Sequence, residues 1–326
     1  MNNRSWLWEI IVTLVLIALI VGWLGYVVRP LDAALAYAQI ESFHSLPQNS
    51  VEVIVYGSSR AFRGFDPIRA YEQYGIGSYN YSWNWQKINT TRMFIKDSLA
   101  VQTPKAVLIE AFFADSVLSD ENISPEIYYS RYIYDRKAKK EYLRQCFGTS
   151  PEKYLYYYIP LFAFHENWNS LSVNSFLPLQ KDPKLRKDMG FSRSTVITKT
   201  VIPDPSSFRQ KELCEEAIAV LEDIVSCCRA KGAEVVFFTV PCENSYAYGE
   251  ALAQFAKANG CAYFDFYERA EEIGIDGETD FSDEGHLNSF GAEKVTDFLC
   301  EYLAERCDLT DMRSVEHNLW EAAINP

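Results

Sequence analysis

The chain has 326 residues, 48% of them hydrophobic and 15% aromatic. That is too long and too apolar for a disulfide miniprotein, a disordered tail or a lone peptide-binding module. Against 31 Lys and Arg stand 44 Asp and Glu, a formal net charge of −13 that repels phosphates and sets nucleic acid aside as a partner.

Leu7 to Val28 reads LWEIIVTLVLIALIVGWLGYVV, about 22 residues that at about 1.5 Å each cross a hydrocarbon core of about 30 Å. Glu9 is its one charge and lies near the start, while Trp6, Trp8, Trp23 and Tyr26 stand where interfacial aromatic belts belong. The expectation is a membrane anchor over 1–28, a single pass with the lipid bilayer as partner. Arg4 and Arg29 flank the span almost evenly, and the long acidic domain that follows favours N-terminus inside and domain extracytoplasmic. The alternatives are a buried core helix and a cleaved signal peptide. Ala36, Tyr37 and Ala38 resemble a cleavage site, but lie well past the apolar run and beyond Arg29.

A linker is expected over 29–50. From there short apolar runs alternate with helical patterns, the signature of βαβ units and a parallel sheet. Five runs qualify as strands: Val51 to Tyr56, Ser78 to Ser82, Lys105 to Ala111, Glu234 to Val240 and Cys261 to Phe266. Helical patterns lie at Pro67 to Tyr74, Gln86 to Val101, Gln210 to Lys231, Ala251 to Asn259 and Ser289 to Arg306. The segment from about 112 to 207 breaks this rhythm and reads as a large insertion after the third strand. Leaving from the carboxyl end of a strand, it is placed to wall or cover a site. Its basic residues fit either an anionic polymer or a solvated face. An α/β domain over 51–307 is followed by a tail at 308–326, an accessory helix or a loose end. The eight cysteines form no C-x-x-C and no zinc-ligand spacing, so no metal and no cofactor is expected, and buried free thiols are the default reading.

Two short segments carry chemistry. After the first strand comes Gly57-Ser58-Ser59-Arg60, a turn at the carboxyl edge of the sheet that can hold a hydroxyl clear of its backbone. Near the other end stands Asp283-Glu284-Gly285-His286, then Leu287-Asn288. A carboxylate three residues before a histidine can accept the Nδ1 proton and leave Nε2 facing outward as a base. Either segment is also compatible with an ordinary turn or helix cap. His44, His165 and His317 have no such neighbour and read as structural or solvated.

Together these motifs resemble the SGNH, or GDSL-like, hydrolase superfamily over roughly Val51 to Ala111 and Glu234 to Arg306. Gly57-Ser58-Ser59 matches its Gly-Asp-Ser turn with Ser58 in place of Asp, and Asp283 with His286 matches its D-x-x-H block. The resemblance implies a flavodoxin-like three-layer α/β/α fold with five parallel strands. It also implies catalytic Ser59, His286 and Asp283, with the oxyanion held by the Ser59 backbone and by residues near Asn84 and Trp85. Two positions depart from the pattern. No glycine stands at Asn84 or Trp85, and the asparagine donor expected after the third strand is absent from Phe112-Phe113-Ala114-Asp115. Asn84 or Asn80 is a candidate replacement by position.

The anchor and the D-x-x-H-L-N ending are similar to membrane-tethered members that modify cell envelopes, such as the teichoic acid D-alanyl-transfer and alginate O-acetylation proteins. The resemblance then implies a serine esterase or O-acyltransferase acting on acyl esters of a surface polysaccharide or teichoic-acid-like polymer, beside a multispan membrane-bound O-acyltransferase. The competing readings are a lipase or esterase for small or lipid esters and a non-catalytic scaffold or glycan-binding protein.

Overall fold

The computed structural model describes residues 5–117 and 124–324; Arg4, residues 118–123 of the insertion and the last two residues lie outside them. Helix α1 (Ser5–Val27) is long and apolar enough to cross a bilayer, and every residue from Trp6 to Ile20 is exposed. A stretch so apolar would not stay in water, so the chain has one N-terminal membrane-spanning helix, and the remainder forms a large extracytoplasmic domain.

The stretch 29–50 is not a linker. It contains helix α2 (Ala33–His44), whose Ala33, Ala36, Ile40 and Phe43 recur at helical spacing and are buried. The Gln39 amide donates to the carbonyls of Asn80 and Ser82. This ties the end of the anchor directly to the sheet domain.

The central elements follow as β1 (Val53–Tyr56), α3 (Ser59–Gly64), α4 (Pro67–Tyr74), β2 (Ser78–Asn80), α5 (Ile88–Ser98) and β3 (Ala106–Glu110). The insertion then runs through α6 (Pro125–Tyr129), α7 (Arg136–Phe147), α8 (Pro151–Tyr158), α9 (Pro160–Phe164), α10 (Val173–Phe176) and α11 (Pro183–Lys187). The domain resumes with α12 (Glu215–Arg229), β4 (Glu234–Thr239), α13 (Gly249–Ala258) and β5 (Ala262–Asp265). Last come a small hairpin, β6 (Phe281–Asp283) and β7 (His286–Leu287), helix α14 (Ser289–Arg306) and helix α15 (Leu319–Ile324).

Five strands pair in parallel in the order β2-β1-β3-β4-β5. All five coincide with the expected apolar runs, shortened by one or two residues at their ends. Alternate side chains feed two cores. Ile54, Val107 and Phe237 pack with α2, α5, α12 and α13, whereas Val55, Leu108 and Phe238 pack with α3, α4 and α14. The result is a three-layer α/β/α fold with a five-stranded parallel sheet and helical insertions. In this strand order the chain reverses direction between β1 and β3, and the crevice at their carboxyl ends is where open α/β sheets place ligands.

The carboxy-terminal segment is docked. Trp320 is 1% exposed and its indole N–H donates to the Ser78 carbonyl at 2.8 Å. No disulfide joins cysteines among the described residues; Cys146, Cys228, Cys242 and Cys300 are buried, Cys214 is exposed and the rest are half-buried.

Candidate functional site

Gly57 makes the turn out of β1 with φ +151°, and a Cβ there would lie 2.6 Å from the Cβ of Glu110. Only glycine lets β1 and β3 approach so closely at their ends. Ser58 then caps α3, its hydroxyl accepting from the Arg60 N–H at 3.2 Å. This cap turns Ser59, the first helical residue, out of the sheet and leaves it half-buried.

The buried carboxylate of Glu110 braces that turn. It accepts from the Ser58 hydroxyl at 2.7 Å, the Ser58 N–H at 3.1 Å and the Phe112 N–H at 2.9 Å. Burial raises its pKa above the usual carboxylate value, opposed by the Arg60 charge and by these hydrogen bonds. The Arg60 guanidinium lies 3.5 Å from the centroid of the Phe112 ring and donates to Cys242 Sγ at 3.4 Å. Its buried Nε has no partner among the described residues.

The hairpin of β6 and β7 pairs Asp283 with His286 across the Glu284-Gly285 turn. His286 Nδ1 lies 2.7 Å from Asp283 Oδ1, and His286 Nε2 lies 2.6 Å from Ser59 Oγ. The structure thus brings Ser59, His286 and Asp283 into one hydrogen-bonded row. Asp283 Oδ1 also accepts from the Gly285 N–H at 2.9 Å, and Oδ2 accepts from Arg63 at 3.0 Å. Burial works to raise the Asp283 pKa, but these hydrogen bonds and the charges of His286 and Arg63 prevail and hold it low. Burial pushes the His286 pKa below its ordinary 6.5; Asp283 opposes that, and Arg63 and Arg60 reinforce it. A neutral imidazole with Nδ1–H held by a carboxylate has its Nε2 lone pair free to accept a proton from Ser59.

The insertion buttresses the hairpin. Thr198 donates from N–H to the Phe281 carbonyl at 2.8 Å and from its hydroxyl to the Ser282 carbonyl at 2.9 Å. Asn288, the cap of α14, accepts from the N–H groups of Phe290 and Gly291 and donates to the Val196, Thr279 and Phe281 carbonyls.

Of the other positions singled out in the sequence, Asn84 is half-buried and lines a cavity of about 250 Å³ with Leu35, Phe62, Arg63, Trp83 and Phe191. Trp85 is 72% exposed and has φ +58°, a left-handed backbone where glycine is the easy residue. Asn80 is not in the site. It is fully buried behind α3, where its amide donates to the Ala61 and Phe65 carbonyls. Asp115 accepts from the Cys214 N–H at 2.6 Å, at the join of insertion and α12. His44 does have a carboxylate partner, Asp97, at 2.6 Å, supplied by α5 rather than by its own neighbours. That pair also accepts from Tyr81 and the Asp135 N–H and is a structural core network.

Sequence reasoning passed over Glu110, Arg60 and Arg63. Arg60 and Arg63 were legible as the basic residues of the helix that begins at Ser59. Glu110, at the end of an apolar strand, was the one acid in AVLIEAFFA, which is a signal for a buried partner.

No protein-family model matches the chain, and no curated protein matches it. Solved structures similar to it include a candidate acylhydrolase from Bacteroides fragilis at 10% identity and TM-score 0.39, covering 82% of this chain and 94% of that one. Another is TesA, at 12% identity and TM-score 0.37, covering 77% and 97% respectively.

Proposed function

We propose that this protein is a membrane-anchored serine esterase of the SGNH type that cleaves small or lipid acyl esters through an acyl-enzyme on Ser59. The observation that carries this reading is the unbroken row from Ser59 Oγ through the His286 ring to Asp283, with contacts of 2.6 and 2.7 Å. In the proposed reaction His286 Nε2 takes the Ser59 proton as the oxygen attacks the ester carbonyl, and Asp283 stabilises the imidazolium that forms. The imidazolium returns that proton to the departing alcohol, leaving the acyl group on Ser59. Water, deprotonated by His286, then releases the acid. The N–H groups of Ser59 and Trp85 are the proposed oxyanion donors, with the Asn84 amide beside them.

Acyl transfer to a surface polymer, in partnership with a multispan membrane-bound O-acyltransferase, is the second reading. It is favoured by the 192–200 segment of the insertion, which lies along the catalytic hairpin and offers a wall against which an acceptor hydroxyl can be held. Such a hydroxyl must outcompete water at about 55 M, which well-aligned groups do at effective molarities reaching about 10⁵ M.

A fluorophosphonate probe applied to membranes containing the full chain tests the core proposal. Labelling of wild type that is lost in Ser59→Ala and in His286→Ala is expected. A wild type that never labels, or a Ser59→Ala variant that labels equally, overturns it. Supplying an acyl donor with and without polymer separates the two readings by whether acyl groups appear on the polymer.

A further inference from the structure

The length of the anchor and the place where the domain meets it do not fit a domain held clear of the bilayer. Exposure is continuous from Trp6 to Ile20 and returns at Gly22 and Trp23, and the apolar stretch as a whole runs Trp6–Val27, about 33 Å of helix against a hydrocarbon core of about 30 Å. Crossing the core with that stretch takes in the last turns of α1, and those turns are packed against the insertion. Gly25 approaches Pro160 and Leu161 so closely that a Cβ would meet the Leu161 nitrogen at 3.1 Å. Trp23 and Phe176 rings are 6.2 Å apart. Arg29 then binds the insertion by donating to the carbonyls of Ser175, Asn174 and Leu177.

The segments that contact α1 expose apolar side chains. Phe162, Trp168, Val173, Phe176 and Leu177 are each between 46% and 76% exposed, a patch that water would not tolerate without a partner. Immediately beside it, Tyr158 and Tyr154 of α8 form one wall of a groove of about 450 Å³, whose other wall is α7 with Arg136, Lys139, Lys140 and Arg144. None of these four cations makes a salt bridge among the described residues, in a chain whose net charge is −13. Burial is the main cause lowering the Lys139 pKa; the Asp97 charge opposes it, and the charges of Arg131 and Arg136 add to it. Only Ile159 separates Tyr158, which lines the groove, from Pro160, which packs against Gly25 of α1.

We infer that α8 to α10 form a second membrane contact, in which the Phe162 to Leu177 patch is immersed in the bilayer interface and the α7–α8 groove holds the phosphate of an anionic phospholipid. Interfacial helices lie about 5–10 Å deep, and tyrosine beside cations is the usual composition at the headgroup level. Two points of attachment, anchor and patch, then fix the tilt of the domain. The proposal is independent of any catalytic role for Ser59.

The test uses the full chain in vesicles of phosphatidylglycerol and phosphatidylcholine. Photoreactive p-benzoylphenylalanine is placed at Val173, and as a control at Val315, whose N–H donates to the carbonyl of Met312, a residue whose own N–H donates to the Gly75 carbonyl ahead of β2. Lipid adducts at 173 and none at 315 are expected. In native mass spectrometry of the solubilised chain, phosphatidylglycerol should be retained over phosphatidylcholine by at least about tenfold, a preference that K140E/R144E removes while the melting temperature is kept. Position 173 yielding no lipid adduct overturns the immersion. Equal retention of the two lipids overturns the headgroup site, and if Lys140 and Arg144 then govern binding of inorganic phosphate or polyphosphate, the groove serves a soluble anion instead.

Discussion

Ser58 donates a 2.7 Å hydrogen bond to the carboxylate of Glu110, 52 positions away in the chain. The bond ties the carboxyl end of β1 to that of β3 beneath the turn that presents Ser59.

Glu110→Ala removes the acceptor for two backbone N–H groups and a hydroxyl, and a buried unsatisfied group costs about 1–3 kcal/mol. A loss of at least about 3 kcal/mol is expected in denaturant unfolding, with esterase activity falling alongside. Because burial raises the folded pKa of Glu110, its contribution to stability is full below its unfolded value and is lost as pH rises through the folded one. Glu110→Gln does not ionise, so the difference in melting temperature between wild type and this variant should drift against wild type from pH 4 towards neutrality. A constant difference would show that Glu110 does not titrate in this range.

If His286 is the base proposed above, its depressed pKa predicts an acid limb of kcat/KM below the ordinary imidazole value of 6.5. Arg63 contributes to that depression, so Arg63→Gln removes a positive charge near the imidazolium and lets His286 hold its proton to higher pH. The acid limb should therefore move upward. A pH–rate profile of the two proteins decides it, and a limb that stays in place or moves down excludes Arg63 as a tuning group.

Gly57→Ala forces a Cβ to within 2.6 Å of the Glu110 Cβ at a backbone angle that L-residues rarely adopt. Overpacking of this kind costs about 1–3 kcal/mol. The same turn carries Ser59, so probe labelling should slow even where the protein remains folded at the assay temperature. Unfolding curves and labelling rates measured on one preparation separate the two effects.

Trp85 holds a left-handed backbone conformation with its ring largely in solvent. Such a conformation costs about 1–2 kcal/mol for an L-residue, and glycine gives back about 0.5–1 in chain entropy, so Trp85→Gly should gain about 0.5–1 kcal/mol. If the Trp85 N–H serves the oxyanion, kcat survives this change and only KM shifts. A collapse of kcat would mean that the ring itself takes part in the reaction.

The sheet was legible in the sequence because each strand is buried on both faces and so reads as a continuous apolar run. Helices α4 and α14 were legible to the residue, since Asp66-Pro67 and Asn288 start them and Gly75 stops the first. Helix α2 was hidden by its alanines, which follow an apolar span and carry little contrast between faces. The insertion concealed its short helices although Ser124-Pro125, Ser150-Pro151 and Asp182-Pro183 mark their starts. Ser59, His286 and Asp283 were legible as local motifs, whereas the roles of Glu110 and Asp97 depend on strands and helices far off in the chain.

Central strand β3 pairs with β1 on one side and β4 on the other, yet the entire insertion separates β3 from β4. During synthesis β1, β2 and β3 can assemble early, but β3 must then keep a bare edge while about 120 further residues emerge, several seconds at ribosomal speed. Strand β3 thus presents an unpaired edge, the feature through which unfinished chains associate, until β4 arrives.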